Sequence, residues 1–194
     1  DRLPFVDNVG TRVAIQKGLE LLGKNASYRW KQNQMSALSY QAIISRRYNL
    51  DFINLGFAGN AKGEDAIVEY MSTMPMCAFV SDYDHNAPTP EHLEATHKKM
   101  YDRIREKNPT IPYIMISRPT VNYANVDAIR RRNIIYDTYR AAFESGDRNV
   151  YFVDGFSLFG DDPDKSCTID TCHPTDLGFS RMAERIGCVL DYAL

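Results

Sequence analysis

The chain has 194 residues, 44% of them hydrophobic, which is enough to bury one substantial core and short for two, so residues 1–194 read as a single domain. Its 23 basic and 25 acidic residues are interspersed rather than blocked, for a net charge of −2, and this balance asks for neither nucleic acid nor an anionic membrane surface as partner. No apolar run approaches the roughly 20 residues of a membrane span.

Taken in chain order, the opening Asp1-Arg-Leu-Pro-Phe5 lacks signal-peptide architecture, and the expected location is cytoplasmic, export of a trimmed precursor being the alternative. Residues 1–35 carry no decisive pattern: Arg12 to Leu22 fits a helix, and Leu19 to Leu22 fits a short strand. Beyond them short apolar runs alternate with helix-patterned segments. The runs are Asp51 to Leu55, Cys77 to Val80, Tyr113 to Ile116 and Val150 to Val153. Segments with apolar residues three and four apart cover Ser39 to Tyr48, Glu64 to Met71, Pro90 to Lys107, Asp127 to Glu144 and Thr175 to Leu194. This alternation predicts βαβ units and a three-layer α/β/α sandwich around a parallel sheet of about five strands. Each run is followed at once by Gly56, Ser81-Asp82, Ser117-Arg118 or Asp154-Gly155, and in open parallel sheets ligands bind beyond the carboxyl ends of the strands. Those residues should therefore share one rim.

Three stretches on that rim carry chemistry. In Asp170-Thr-Cys-His173-Pro174 the carboxylate can take the Nδ1 proton of His173, leaving Nε2 free to act as a base, while Pro174 and Thr175 suit a helix start that would stiffen the loop. A capping Asp beside an exposed loop His is the plainer alternative. Asn54-Leu-Gly-Phe-Ala-Gly59-Asn60 lies between a strand and a helix, where the Gly59 N–H could steady a developing oxyanion or simply serve a βα turn. In Ser81-Asp-Tyr-Asp-His-Asn86, the Asn86 amide could aim at the same oxygen. Asp82, Asp84, His85 and His173 are metal ligands by type, but their spacing matches no ligand pair, and His92 and His97 look placed on an exposed helix face, so no metal is expected. Four scattered cysteines, Cys77, Cys167, Cys172 and Cys188, form no Cys-x-x-Cys pair and are expected as free thiols, with a Cys167–Cys172 bridge open to an exported protein.

The order Gly-Asn, Asn, Asp-x-x-His over about Tyr40 to Leu194 resembles the SGNH hydrolases, most closely the GDSL-like acylhydrolases with Asn-Leu-Gly-Phe-x-Gly-Asn and Asp-x-x-His-Pro blocks. The resemblance implies a flavodoxin-like fold, an oxyanion hole from Gly59 and Asn86, and Asp170 and His173 as acid and base. The family's Gly-Asp-Ser or Gly-Ser-Ser block occurs nowhere in the chain. Ser27, in Leu21-Leu-Gly-Lys-Asn-Ala-Ser27, is the candidate nucleophile; other registers place Ala26, Asn25 or Asn8 there, and Ser36 and Ser39 read better as helix caps. Arg118, ending a strand on the rim, and Asp82 are candidate substrate-binding residues, with an ion pair at the strand end as the alternative for Arg118. Trp30 and Tyr28 suit either a pocket or the core.

The expected function is a cofactor-free serine esterase acting on a small ester, with an acetylated carbohydrate as one candidate. Two alternatives are a domain that keeps the pocket but binds a sugar or acyl group without turnover, and a metal-dependent phosphoesterase. The sequence carries no indication of oligomeric state.

Overall fold

A computed structural model describes residues 5–9, 38–56, 59–120, 122–162 and 166–194, the first of these segments as backbone only. Five strands, β1 (Phe5–Val9), β2 (Phe52–Asn54), β3 (Ala78–Asp82), β4 (Tyr113–Ile116) and β5 (Val150–Val153), form one sheet in the order β2-β1-β3-β4-β5, with every pairing parallel. Among the described residues five α-helices alternate with them: α1 (Tyr40–Tyr48), α2 (Asp65–Ser72), α3 (Pro90–Lys107), α4 (Val126–Glu144) and α5 (Asp176–Ala193).

The strands of the described core are short apolar runs because both faces are covered, as parallel sheets require. Alternation along them divides the core. Phe79, Tyr113 and Met115 face Val68, Met71, Leu93, Met100, Ile104 and Ile135 of α2, α3 and α4. Ala78, Val80, Ile114 and Ile116 face Tyr40 and Ile44 of α1 and Phe179, Met182, Ile186 and Leu190 of α5. Helix starts are fixed by side-chain caps: Ser39 for α1, Thr89 followed by Pro90 for α3, Asn125 for α4 and Thr175 for α5 each accept a backbone N–H of the first turn. Ser39 is thus the cap that its sequence position suggested.

Two sequence expectations are corrected here. The strand between β2 and β3 is Phe5–Val9, a run not counted among the strand-like segments, because its Asp7 and Asn8 interrupt the apolar pattern expected of an interior parallel strand. His97 is not on an exposed face: it is 1% accessible, with its ring stacked on Tyr83. The four cysteines are free thiols, Cys167 buried and Cys172 half-buried.

Candidate active site

The chain crosses from one side of the sheet to the other between β1 and β3, and open α/β sheets bind ligands in the crevice at such a switch point. Register puts Val9 of β1 level with Asp82 of β3, and Asp7 level with Asn54 of β2. The ends of β1, β2 and β3, with the 3-10 turn that follows β3, therefore frame the crevice.

The loop before α5 is a tight hairpin. Thr175 N–H donates to the Cys167 carbonyl at 2.9 Å, Ile169 N–H donates to the His173 carbonyl at 2.9 Å, and Thr168 and Pro174 form a bridge. The start of α5 sits hard against it, since a Cβ on Gly178 would lie 2.2 Å from the Cys167 carbonyl oxygen. Inside the hairpin Asp170 does two jobs. Its Oδ1 accepts the backbone N–H groups of Cys172 (3.1 Å) and His173 (2.7 Å), and its Oδ2 meets His173 Nδ1 at 2.6 Å. The His173 N–H, then its ring, hold the Asp170 carboxyl down at about 2. Asp170 is an anion at neutral pH, so the imidazole proton sits on Nδ1 and Nε2 is left with its lone pair. Thr171, between them, takes a left-handed φ of 68°, a strained state for a β-branched residue that the Asp170 bonds hold in place.

A short 3-10 turn (Asp84–Asn86) follows β3 and carries the second group. His85 packs toward the hairpin, with Nδ1 3.5 Å from Cys172 Sγ. Burial, then the neighbouring Arg118 and His173, push the His85 ring down to about 4, so it is neutral at ordinary pH. The Asn86 side-chain Nδ2 is buried and has no hydrogen-bond partner among the described residues, which leaves a donor preset and unused beside the base loop. Gly59 follows β2 with φ of 88° and open space where a Cβ would be, so its backbone is accessible from outside. It follows β2 and the Asn86 turn follows β3, the two strands that flank β1.

The remaining candidates sit lower or are paired. Asp82 is 5% exposed and accepts from the Tyr40 hydroxyl at 3.1 Å; burial raises its carboxyl to about 7. It lies beneath the crevice rather than on its surface. The Arg118 guanidinium is 3.2 Å from Asp127, as the ion-pair alternative anticipated. His92 bonds the Lys62 carbonyl at 2.8 Å, the Asp84 carboxylate is taken by the Arg118 N–H and by Arg131, and among the described residues no group of His, Cys, Asp and Glu is arranged to hold a metal. Ser27, Ala26, Asn25, Tyr28, Trp30 and Ser36 lie outside the described residues. Sequence reasoning missed Arg131, discussed below, although its place on the buried stripe of α4 with Ala128, Ile135 and Thr138 marked it as an internal cation.

A doubly wound α/β sandwich with an Asp–His pair and an unfilled carboxamide at its switch point has the architecture of the SGNH hydrolases. Residues 32–191 match the sequence model of the GDSL-like Lipase/Acylhydrolase family, and the chain belongs to that family. Among solved structures it is similar to a Bacteroides ovatus ATCC 8483 protein assigned as a GDSL-like lipase, at 27% identity and a TM-score of 0.72, covering 81% of this chain and 48% of that one. It is also similar to the salicylyl-acyltransferase SsfX3 of a tetracycline biosynthetic pathway, at 17% identity and a TM-score of 0.71, covering 97% and 55% of the two chains. An active-site mutant of a family two carbohydrate esterase from Clostridium thermocellum, solved with a cello-oligosaccharide, aligns at 17% identity and a TM-score of 0.67 over 99% and 64%. The chain thus spans between about half and just under two thirds of the length of each of these three proteins. No curated protein matches it.

Proposed function

We propose that the chain is an ester hydrolase of the acylhydrolase type. The observation that carries this reading is the 2.6 Å bond from Asp170 to His173 Nδ1, which prepares Nε2 as a base beside the unused Asn86 amide. In this reading the Ser27 hydroxyl attacks the ester carbonyl and passes its proton to Nε2 of His173. Asp170 steadies the resulting imidazolium, and the Gly59 N–H and Asn86 amide receive the negative oxygen. The tetrahedral intermediate collapses as His173 returns the proton to the departing alcohol, and water then repeats the sequence on the acyl-enzyme. Every proton moves through one imidazole, so no cofactor is called for.

The substrate is a small acyl ester carried by a carbohydrate. Support comes from the carbohydrate esterases among the similar structures and from the polar side chains of Asn86 and Arg118 beyond the ends of β3 and β4. Hydrolysis of p-nitrophenyl acetate and of acetylated xylo- and cello-oligosaccharides, with and without EDTA, tests the reading. Turnover that survives EDTA and is abolished by a fluorophosphonate, with the label found on Ser27, is the expected result.

A second reading is a domain that holds such a sugar without cleaving it. It is favoured by the end of β1 at Val9, followed in sequence by Gly10-Thr11 rather than by a serine. Failure of the fluorophosphonate to label, together with saturable binding of the acetylated oligosaccharide, would select it.

A further inference from the structure

Under the crevice four residues from three elements close a ring. Arg131, one turn into α4 and 5% exposed, sends Nη1 to the Asp84 carbonyl (2.9 Å), the Ala87 carbonyl (3.0 Å) and Asp84 Oδ1 (3.4 Å). Its Nε donates to Asp127 Oδ2 at 2.8 Å. Asp127 also receives the Arg118 guanidinium at 3.2 Å, and the Arg118 backbone N–H returns to Asp84 Oδ2 at 2.8 Å. The two carbonyls that Arg131 gathers bracket Asn86 in the chain, one on each side. A 3-10 turn of three residues has too few internal bonds to hold a side chain in place. A planar guanidinium on a long capped helix supplies what the turn lacks, and a lysine ammonium, being a point charge, could not serve both carbonyls and Asp127 at once.

We propose that Arg131 is a positioning residue of the oxyanion step: through this ring it fixes the turn on which Asn86 is presented and ties it to Arg118 at the end of β4. The inference rests on the reading of Asn86 as an oxyanion donor. An interaction that sets geometry acts on the transition state more than on the bound ester, so its loss should appear in kcat rather than KM.

Arg105 supplies the control. It too holds backbone carbonyls (Asn108 at 3.0 Å, Ile111 at 2.6 Å, Asn149 at 3.2 Å) and a carboxylate (Asp147 at 2.9 Å), but at the amino ends of β4 and β5, across the sheet from the crevice. Arg131→Met, Arg131→Lys and Arg105→Met are compared with the wild type by p-nitrophenyl acetate kinetics and by thermal unfolding. Both Met variants should lose stability. Arg131→Met should lower kcat by about 10–100-fold with KM within about threefold, as sub-ångström to ångström misplacement does, and Arg131→Lys should fall in between. Arg105→Met should keep kcat within about twofold. Unchanged kcat in folded Arg131→Met overturns the proposal, as does an equal kcat loss in Arg105→Met. Should Arg131→Met not fold, Arg131→Lys decides by the same criterion. A wild type that neither turns over ester nor takes the fluorophosphonate fails the esterase reading instead. The ring is then judged by the Asn86 side-chain amide resonances, identified by their loss in Asn86→Asp. They should shift or broaden in Arg131→Lys and stay fixed in Arg105→Met; resonances unmoved in Arg131→Lys overturn it.

Discussion

Replacing Asp170 by Asn alters one atom, and the hairpin dictates where the altered atom goes. Two backbone N–H groups, those of Cys172 and His173, already point at Oδ1, so the Asn carbonyl oxygen must stay there to accept them. The new NH2 group then occupies the Oδ2 position facing His173 Nδ1, where only an acceptor can meet it. The imidazole has to move its proton to Nε2, and the base is lost while the loop keeps its shape. In the best-known Ser-His-Asp enzyme the same exchange lowers kcat about 10⁴-fold for this reason. The Asp170–His173 pair is half exposed, at 51% and 49% of side-chain area, so water competes for the imidazole, and a smaller loss of about 10³-fold is expected. The assay is kcat on p-nitrophenyl acetate, with the thermal midpoint as the check on the fold. Asp170→Ala should lose the same activity but also release the two N–H groups that hold Thr171 in its left-handed state, and so lower the midpoint. An Asp170→Asn variant that keeps activity within about tenfold would refute the tautomer argument and the assignment of His173 as the base.

Asn86→Ala, in an active preparation, should cost about 10²–10³ in kcat, read against an unchanged KM. His97, buried and lowered by that burial to about 3, stays neutral in the folded protein while its unfolded counterpart protonates near 6.5; stability is full above 6.5 and is lost as pH falls toward 3. By about pH 4.5 the loss is about 3 kcal/mol, so urea unfolding of His97→Leu at pH 7.5 and 4.5 should show a smaller acid loss than the wild type, and equal losses would exclude His97 as the cause. Asp82 works in the opposite sense: burial raises it from 3.8 to about 7, so its contribution is full below 3.8 and is lost as pH rises through about 7. Asp82→Asn should therefore gain stability over the wild type at pH 8 relative to pH 4, measured in the same way.

Segments whose partners are close in sequence were legible. The limits expected of β4, β5 and α3 coincide with the observed Tyr113–Ile116, Val150–Val153 and Pro90–Lys107, because short β-rich runs and a Thr-Pro helix start are local signals. The Asp170–His173 bond was legible for the same reason, as a contact within three residues. His97 was misplaced although the signal was present: it shares with Leu93, Met100 and Ile104 the spacing of one helical stripe, and its polarity was weighed above its position. Asp82 could be assigned to the end of β3 but not to the space beneath the crevice, since its partner Tyr40 comes from α1. The ring of Asp84, Arg131, Asp127 and Arg118 joins residues up to 47 apart in the chain, and no local pattern encodes such a closure.

The unfilled amides point to what the crevice is for. Among the described residues, the Nδ2 atoms of Asn54 and Asn86 are buried without partners on either side of the end of β1. A buried amide left unpaired costs about 1–3 kcal/mol, and native proteins leave few of them. Arg105, at the other end of the sheet, spreads its two terminal nitrogens over three carbonyls and a carboxylate while its Nε is buried without a partner. Buried polar atoms without partners also occur among the described residues away from the crevice, at Gln41 and at Arg105 Nε, so the purpose of the Asn86 amide is decided by substitution. If Asn86 is kept for an arriving oxyanion, replacing it with the near-isosteric Leu should leave the thermal midpoint level or raise it while activity falls, the trade-off expected where a site is held ready at the expense of stability. If Asn86 serves the turn instead, Asn86→Leu should lower the midpoint and activity together, and that outcome would remove it from the oxyanion hole.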